Sequence, residues 1–331
     1  MSNFGYTSGI LGIGGVLPEK VLTNFDLEEI VDTSNEWIVQ RTGIHSRRIL
    51  EKDQPAYLLG VEAAKIALNE AGIDAKDIDL IITTTETPDY LSPSTSCLIQ
   101  KEIGADKASA FDLNAACSGF VYGLTVASQF IATGYYKYIL VVACEGLSKV
   151  TDWEDRKTCI LFSDGAGAAV VGPEQEGYGI LQTNIGAVGS LGHNITIPCC
   201  YISQEDIENR PNKNKRVVWM NGSEVLKFAV RAMESSTRTI LDNAGLTVDD
   251  ISLIIPHQAN IRIIDNALKR LGIPESKAVI NLDKYGNNSS ASIPIALYEA
   301  KKGNKLNKDD YVVLVGFGGG LTYGSVLLKW R

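Results

Sequence analysis

Apolar positions along this chain fall into two kinds of run, and their order predicts the architecture. Short unbroken runs, Leu80–Ile82, Tyr138–Ala143, Leu253–Ile255 and Tyr311–Val315, show no polar alternation. Such strands are buried on both faces, as in parallel sheets covered by helices. Longer stretches, Ala56–Ala71, Ser118–Thr133 and Glu224–Ala244, read as helices, and a glycine follows each of them. Glycine just past a helix is the usual left-handed cap. A strand precedes each long first helix (Ser8–Val16 and Tyr178–Ala187), and a hairpin-like strand closes each half (Ala166–Val171 and Ser325–Trp330).

This grammar occurs twice. Residues 71–82, AGIDAKDIDLII, match residues 244–255, AGLTVDDISLII, at seven of twelve positions, at an offset of 173. The same offset lays LVVACEG (140–146) over VLVGFGG (313–319). Two segments sharing one offset point to internal duplication. The expected fold is α/β, with halves at 1–175 and 176–331 packed as a layered sandwich. Residues 198–217, PCCYISQEDIENRPNKNKRV, break the pattern and read as a surface loop or small cap.

Composition narrows the function classes. The chain has 331 residues, 45% hydrophobic and 21% charged, which is ample for a core. A formal net charge of −8 argues against a broad grip on nucleic acid. No apolar run reaches the roughly 18 residues of a membrane span, and Met1-Ser-Asn-Phe-Gly-Tyr does not resemble a signal peptide. The expectation is a soluble cytoplasmic protein with no membrane partner. Six cysteines are too few for a disulfide scaffold, and three histidines offer little for a metal, so none is expected.

Four segments could carry chemistry. Cys117, in NAACSGF, falls between a strand-like segment (Ser109–Leu113) and the helical run from Ser118. A thiol at a helix N-terminus is expected to have a lowered pKa, because unpaired N–H groups and the helix dipole favour the thiolate. Cys97, Cys144 and Cys159 read as packing residues, and Cys199 and Cys200 receive no role. His257, in PHQAN, follows the strand Leu253–Ile255, at the sheet edge where α/β proteins bind ligands. His45 and His193 lie in polar contexts and read as surface residues. Asn287, in YGNNSSAS, enters a helix, and the offset of 173 maps Cys117 onto nearby Ser290. Duplication therefore brings two equivalent helix starts towards a common centre. Gly316-Phe-Gly-Gly-Gly320 could expose main-chain N–H groups to a ligand, as an oxyanion hole requires. LGIGG (11–15) lacks the third glycine and following helix of a dinucleotide fingerprint.

These motifs, with TSNEWIVQRTGI (33–44), stand in an order and spacing that resembles β-ketoacyl-acyl carrier protein synthase III, over essentially the whole length. The resemblance implies a thiolase-like α-β-α-β-α sandwich and a Cys117, His257, Asn287 triad. It implies that Cys117 takes an acyl group from acyl-CoA, then passes it to malonyl-acyl carrier protein with loss of CO₂. Main-chain N–H groups of Cys117 and Gly319 would form the oxyanion hole, and Phe317 would help expel CO₂. CoA would meet Trp37, Arg41, Arg156 and Arg262. The acidic carrier protein would dock on Lys227, Arg262, Lys269 and Arg270. A homodimer is implied, and no cofactor beyond the substrates.

Two positions depart from the family pattern. Leu226 stands where Phe is frequent, and Ser92, before Pro93, stands where an aromatic limits the acyl pocket, with Leu91 as its possible substitute. A roomier acyl pocket is expected. The rival readings are a related acyltransferase or polyketide-starter synthase, and a non-catalytic carrier-binding scaffold of the same fold. A hydrolase reading is weaker, since it predicts acyl loss to water without an extending partner. An intact triad argues for decarboxylative condensation.

Overall fold

The unbroken apolar runs become the inner strands of two sheets. A computed structural model describes residues 7–209 and 216–331. The first sheet contains β1 (Thr7–Val16), β2 (Leu80–Thr84), β3 (Ser109–Leu113), β4 (Ile139–Gly146) and β5 (Asp164–Glu174), in the order β1-β5-β4-β2-β3. β2 runs parallel to β3 and β4, whereas β5 is antiparallel to β4 and to β1. The second sheet contains β6 (Gly179–Ala187), β7 (Leu253–Pro256), β8 (Tyr311–Gly318) and β9 (Thr322–Lys329), in the order β7-β8-β9-β6. Its strand directions repeat those of the first: β7 parallel to β8, and β9 antiparallel to β8 and β6. The counterpart of β3 is reduced to a single parallel bridge between Ile254 and Ala278.

Helices fill the space around and between the sheets. α1 (Tyr57–Ala71) covers the outer face of the first sheet, placing Leu59, Ala63 and Ala67 against Ile81, Val142 and Ala168. LGIGG finds its use here. A Cβ on Gly12 or Gly14 would stand 2.3 or 2.2 Å from the carbonyl oxygen of Ala67 or Ala63, so the glycines let α1 lie directly on β1. α2 (Gly119–Ala132) is apolar nearly all round, the mark of a helix buried on every side. With α4 (Ser292–Lys302) it forms the middle layer, where Phe120, Leu124 and Ile293 meet Val141 of one sheet and Leu314 of the other. α3 (Gly222–Ala244) covers the outer face of the second sheet through Val225, Ala229 and Met233. The result is the expected α-β-α-β-α sandwich.

The expected cap is seen on either side of residues 210–215. Ile195–Thr196 pairs with Trp219–Met220, and a short helix, Gln204–Asn209, lies between them. Residues 210–215 of that expected loop lie outside the described residues. Among the described residues, no helix is long and apolar enough to cross a membrane.

Candidate active site

The two inner helices begin at matching elbows. Ala116 (φ 47°) precedes Cys117, and Ser289 (φ 49°), at the same offset of 173, precedes Ser290. Left-handed backbone at a non-glycine residue is strained and concentrates at functional sites. Residues 116–118 form a tight turn that runs straight into α2, which puts Cys117 at the helix start. β8 crosses directly above. A Cβ on Gly318 would lie 2.5 Å from the Cys117 amide nitrogen, so only glycine permits this approach.

Cys117, His257 and Asn287 all line one cavity of about 380 Å³, together with Phe317 and Gly319. Apolar side chains such as Ile160, Phe162, Ile197 and Val225 form most of its walls. Trp37, Arg41 and Arg262 also line it.

His257 leaves β7 with its N–H bonded to the Val315 carbonyl at 2.8 Å. Its Nδ1 lies 2.7 Å from Ser292 Oγ, and its ring meets Phe317 edge-on at 5.2 Å. Ser292 Oγ accepts from the Gln258 N–H, and among the described residues Nδ1 is the acceptor within reach of its own proton. That network assigns the ring proton to Nε2, which is buried without a partner among the described residues. Burial depresses the imidazole pKa to about 3, so the ring is neutral at ordinary pH.

Asn287 is fixed by its main chain. Its N–H donates to the Leu161 carbonyl, and its carbonyl accepts from the Ser163 N–H, both at 2.9 Å. Its Oδ1 accepts from the Ser289 N–H at 2.9 Å, leaving Nδ2 as the free end of a cavity-lining side chain. Behind this segment sits Arg47, fully buried, which donates to the Ile160 carbonyl and to Asn24 Oδ1. Burial lowers its pKa to about 10, still charged.

The thiol departs from expectation. Burial and the neighbouring Glu86 and Glu145 carboxylates push the Cys117 pKa well up rather than down. A helix N-terminus offers only fractional charge, and desolvation beside acids outweighs it. Cys117 Sγ lies 3.3 Å from Ser289 Oγ and 3.9 Å from Glu86 Oε1. Burial also raises Glu86, and it raises Glu145 to about 8. Sequence reasoning missed both acids. Glu145 closes the apolar run LVVACEG and Glu86 follows Thr83-Thr84-Thr85, and an acid ending a buried strand was the available signal.

The cavity mouth joins two helices. Trp37 lies on Asn35–Thr42, whose start Ser34 caps by accepting from the Trp37 N–H. The guanidinium groups of Arg41 and Arg156 stand 5.5 and 5.4 Å from the Trp37 ring. Arg262, on Ile261–Leu271, donates to the Gln40 carbonyl at 3.1 Å. Lys227, Lys269 and Arg270 line an adjoining groove with Leu226, which borders the cavity as well. Lys227 pairs with Glu224 and Arg270 with Glu234. Leu91 and Ser92 lie exposed, outside the cavity of their own chain. Cys97 is exposed too, against its reading as a packing residue, whereas Cys144 and Cys159 are buried. His45 and His193 are exposed.

Models of 3-oxoacyl-[acyl-carrier-protein] synthase III match residues 111–189, and models of its C-terminal part match residues 241–330. The β-ketoacyl-[acyl-carrier-protein] synthase III of Desulfitobacterium hafniense is 51% identical over 322 residues, 97% of each chain. The chain belongs to the β-ketoacyl-acyl carrier protein synthase III family. It is an acyl-transferring condensing enzyme. The corresponding enzyme of Caldanaerobacter subterraneus is 50% identical over 98% of both chains. The crystal structure of 3-oxoacyl-[acyl-carrier-protein] synthase III from Aquifex aeolicus superposes with a TM-score of 0.91 at 46% identity, covering 98% of this chain and all of that one. In this synthase, among the described residues, no three His, Cys, Asp or Glu side chains are grouped to hold a metal ion.

Proposed function

We propose that this synthase starts fatty acid chains by a two-step reaction at Cys117. Acyl-CoA enters past Trp37, which stacks on the adenine, while Arg41, Arg156 and Arg262 meet the phosphates. Its pantetheine arm follows the apolar cavity to Cys117. Sulfur attacks the thioester carbonyl, the oxyanion rests on the N–H groups of Cys117 and Gly319, and CoA leaves. Malonyl-acyl carrier protein then docks on the Lys227, Arg262, Lys269 and Arg270 face. Its malonyl group loses CO₂ beside Phe317. His257 Nε2–H and the Asn287 Nδ2 donors bind the enolate oxygen, and the enolate carbon attacks the acyl group on Cys117. A neutral imidazole carrying its proton on Nε2 suits this task, since it donates without needing to titrate. No cofactor beyond the two substrates takes part.

The observation that carries this reading is the convergence of Cys117, His257 and Asn287 on one cavity. We place the protein in the cytoplasm as a homodimer, in which Leu91 and Ser92 would border the partner's acyl pocket. With Ser92 in place of an aromatic, that pocket accepts acyl groups longer or more branched than acetyl. Intact-mass spectrometry after mixing with acetyl-, isobutyryl- and hexanoyl-CoA tests the first step, and adding malonyl-acyl carrier protein tests the second. Adducts on Cys117 that convert to β-ketoacyl-acyl carrier protein support the proposal. No adduct with any acyl-CoA refutes it, and a strong preference for acetyl refutes the roomier pocket.

A further inference from the structure

We propose that Glu86 takes the proton from Cys117 during acylation, with Ser289 as the relay between them. The inference rests on Cys117 being the nucleophile, and it adds an acid–base partner that the triad lacks. Glu86 lines the catalytic cavity, with Oε1 3.9 Å from Cys117 Sγ. Ser289 Oγ stands between them, 2.5 Å from Glu86 Oε1 and 3.3 Å from Cys117 Sγ. One hydroxyl has one proton, yet here it meets two partners. If that proton points at Glu86, the thiol proton is left to Ser289 Oγ at 3.3 Å or to Glu86 Oε1 itself at 3.9 Å. If it points at sulfur, a protonated Glu86 must donate instead. These two arrangements are the start and end of a single proton transfer: thiol and carboxylate, or thiolate and carboxylic acid.

The rest of the site leaves this duty to Glu86. His257 Nε2 makes no hydrogen bond to sulfur, and the Ser292 contact leaves it a donor rather than an acceptor. The titratable groups facing Glu86 are Cys117 and Glu145. Glu145 Oε2 accepts from the Glu86 N–H and from the Thr85 and Thr87 hydroxyls. Its Oε1 lies 2.6 Å from the Ser290 hydroxyl, which is shared with the Thr84 carbonyl at 3.1 Å, and burial raises its pKa to about 8. Below that pH a neutral Glu145 leaves room for one negative charge, shared by Glu86 and Cys117.

The step balances. The S–H bond breaks as the S–C bond to the acyl carbon forms, the thiol proton moves to Ser289 Oγ, and the Ser289 proton moves to Glu86 Oε1. When the C–S bond to CoA breaks, the proton returns along the same chain to the departing thiolate. In the second half-reaction Glu86, a carboxylate again once CoA has left as the thiol, first takes a proton from water and then passes it through Ser289 to the freed Cys117 thiolate. That is the one proton consumed when malonyl carboxylate leaves as CO₂.

Single-turnover acylation by acetyl-CoA, without carrier protein, tests this between pH 6.5 and 9.5 by quenched intact mass. Glu86→Gln keeps the shape and removes the proton acceptor. Its acylation should be about 100-fold slower than wild type at pH 6.5, within the usual range for general acid–base catalysis, and the deficit should narrow steadily towards pH 9.5, as rising hydroxide supplies more thiolate without Glu86. Ser289→Ala should show a deficit of about tenfold with the same recovery, and it covers the case of a misfolded Glu86→Gln. Removing a nearby negative charge would by itself ease thiol ionisation. Acylation of Glu86→Gln at or above the wild-type rate at pH 6.5 therefore overturns the proposal, as does an equal loss at every pH or a wild-type rate in Ser289→Ala. If wild type itself shows no adduct on Cys117, the proposed function has failed and this inference with it.

Discussion

His257 makes the fold sensitive to acid in a calculable way. In the unfolded chain its imidazole binds a proton near pH 6.5, but burial holds it neutral in the fold down to about 3. Below pH 6.5 the unfolded chain therefore gains protons that the folded chain refuses, and stability falls with pH until the folded imidazole titrates. With a pH unit worth about 1.4 kcal/mol, the loss reaches about 2 kcal/mol at pH 5 and about 3 at pH 4. The side chain is fully enclosed, so solvent screening does not reduce the figure. Replacing His257 by Asn removes the titrating group and keeps a polar side chain near Ser292. Urea denaturation of both proteins at pH 7, 6, 5 and 4, at one protein concentration, isolates the effect. Wild type should lose about 2 kcal/mol more than His257→Asn between pH 7 and 5. A difference that stays constant across that range would refute the assignment of a neutral, desolvated imidazole.

Three further outcomes follow from other contacts. Gly318→Ala forces a methyl group to within 2.5 Å of the Cys117 amide, so intact-mass acylation should fall at least about 100-fold and stability by about 1–3 kcal/mol. Arg47→Met leaves the Ile160 carbonyl and Asn24 Oδ1 without their buried donor and should cost about 2–4 kcal/mol in urea denaturation. Lys269→Glu should lower kcat/KM for malonyl-acyl carrier protein about tenfold at low salt while leaving acylation by acyl-CoA within twofold. Equal loss of both activities would count against docking there. Lys269 is the cleaner probe because Arg270 is committed to Glu234.

The strands were readable because their apolar runs lack alternation, and the offset of 173 carried their order from one half to the other. It did not reveal that β3 has no full counterpart, since the second half places the short helix Leu282–Tyr285 where the offset expects a strand. Cys117, His257 and Asn287 were legible as strand-end and helix-start residues. The thiol's electrostatics were not, because they depend on Glu86, 31 positions earlier in the chain, which only the packing of β2 beside β3 brings near. Arg47 was equally hidden: one of three arginines in RTGIHSRR, it carries no mark of burial until the chain closes around it. LGIGG was legible only as lacking a dinucleotide fingerprint; its use as a contact surface for α1 appears with the packing.

The paired elbows give the molecule an internal experiment. One presents sulfur to an open channel; its twin presents the Ser290 hydroxyl to Thr84 and Glu145, sealed from that channel. Exchanging the two residues would move a thiol by one symmetry step and change nothing else about its backbone setting. Such a protein would separate what the strained turn contributes to reactivity from what the channel contributes, a separation that enzymes with a single copy of the turn do not offer.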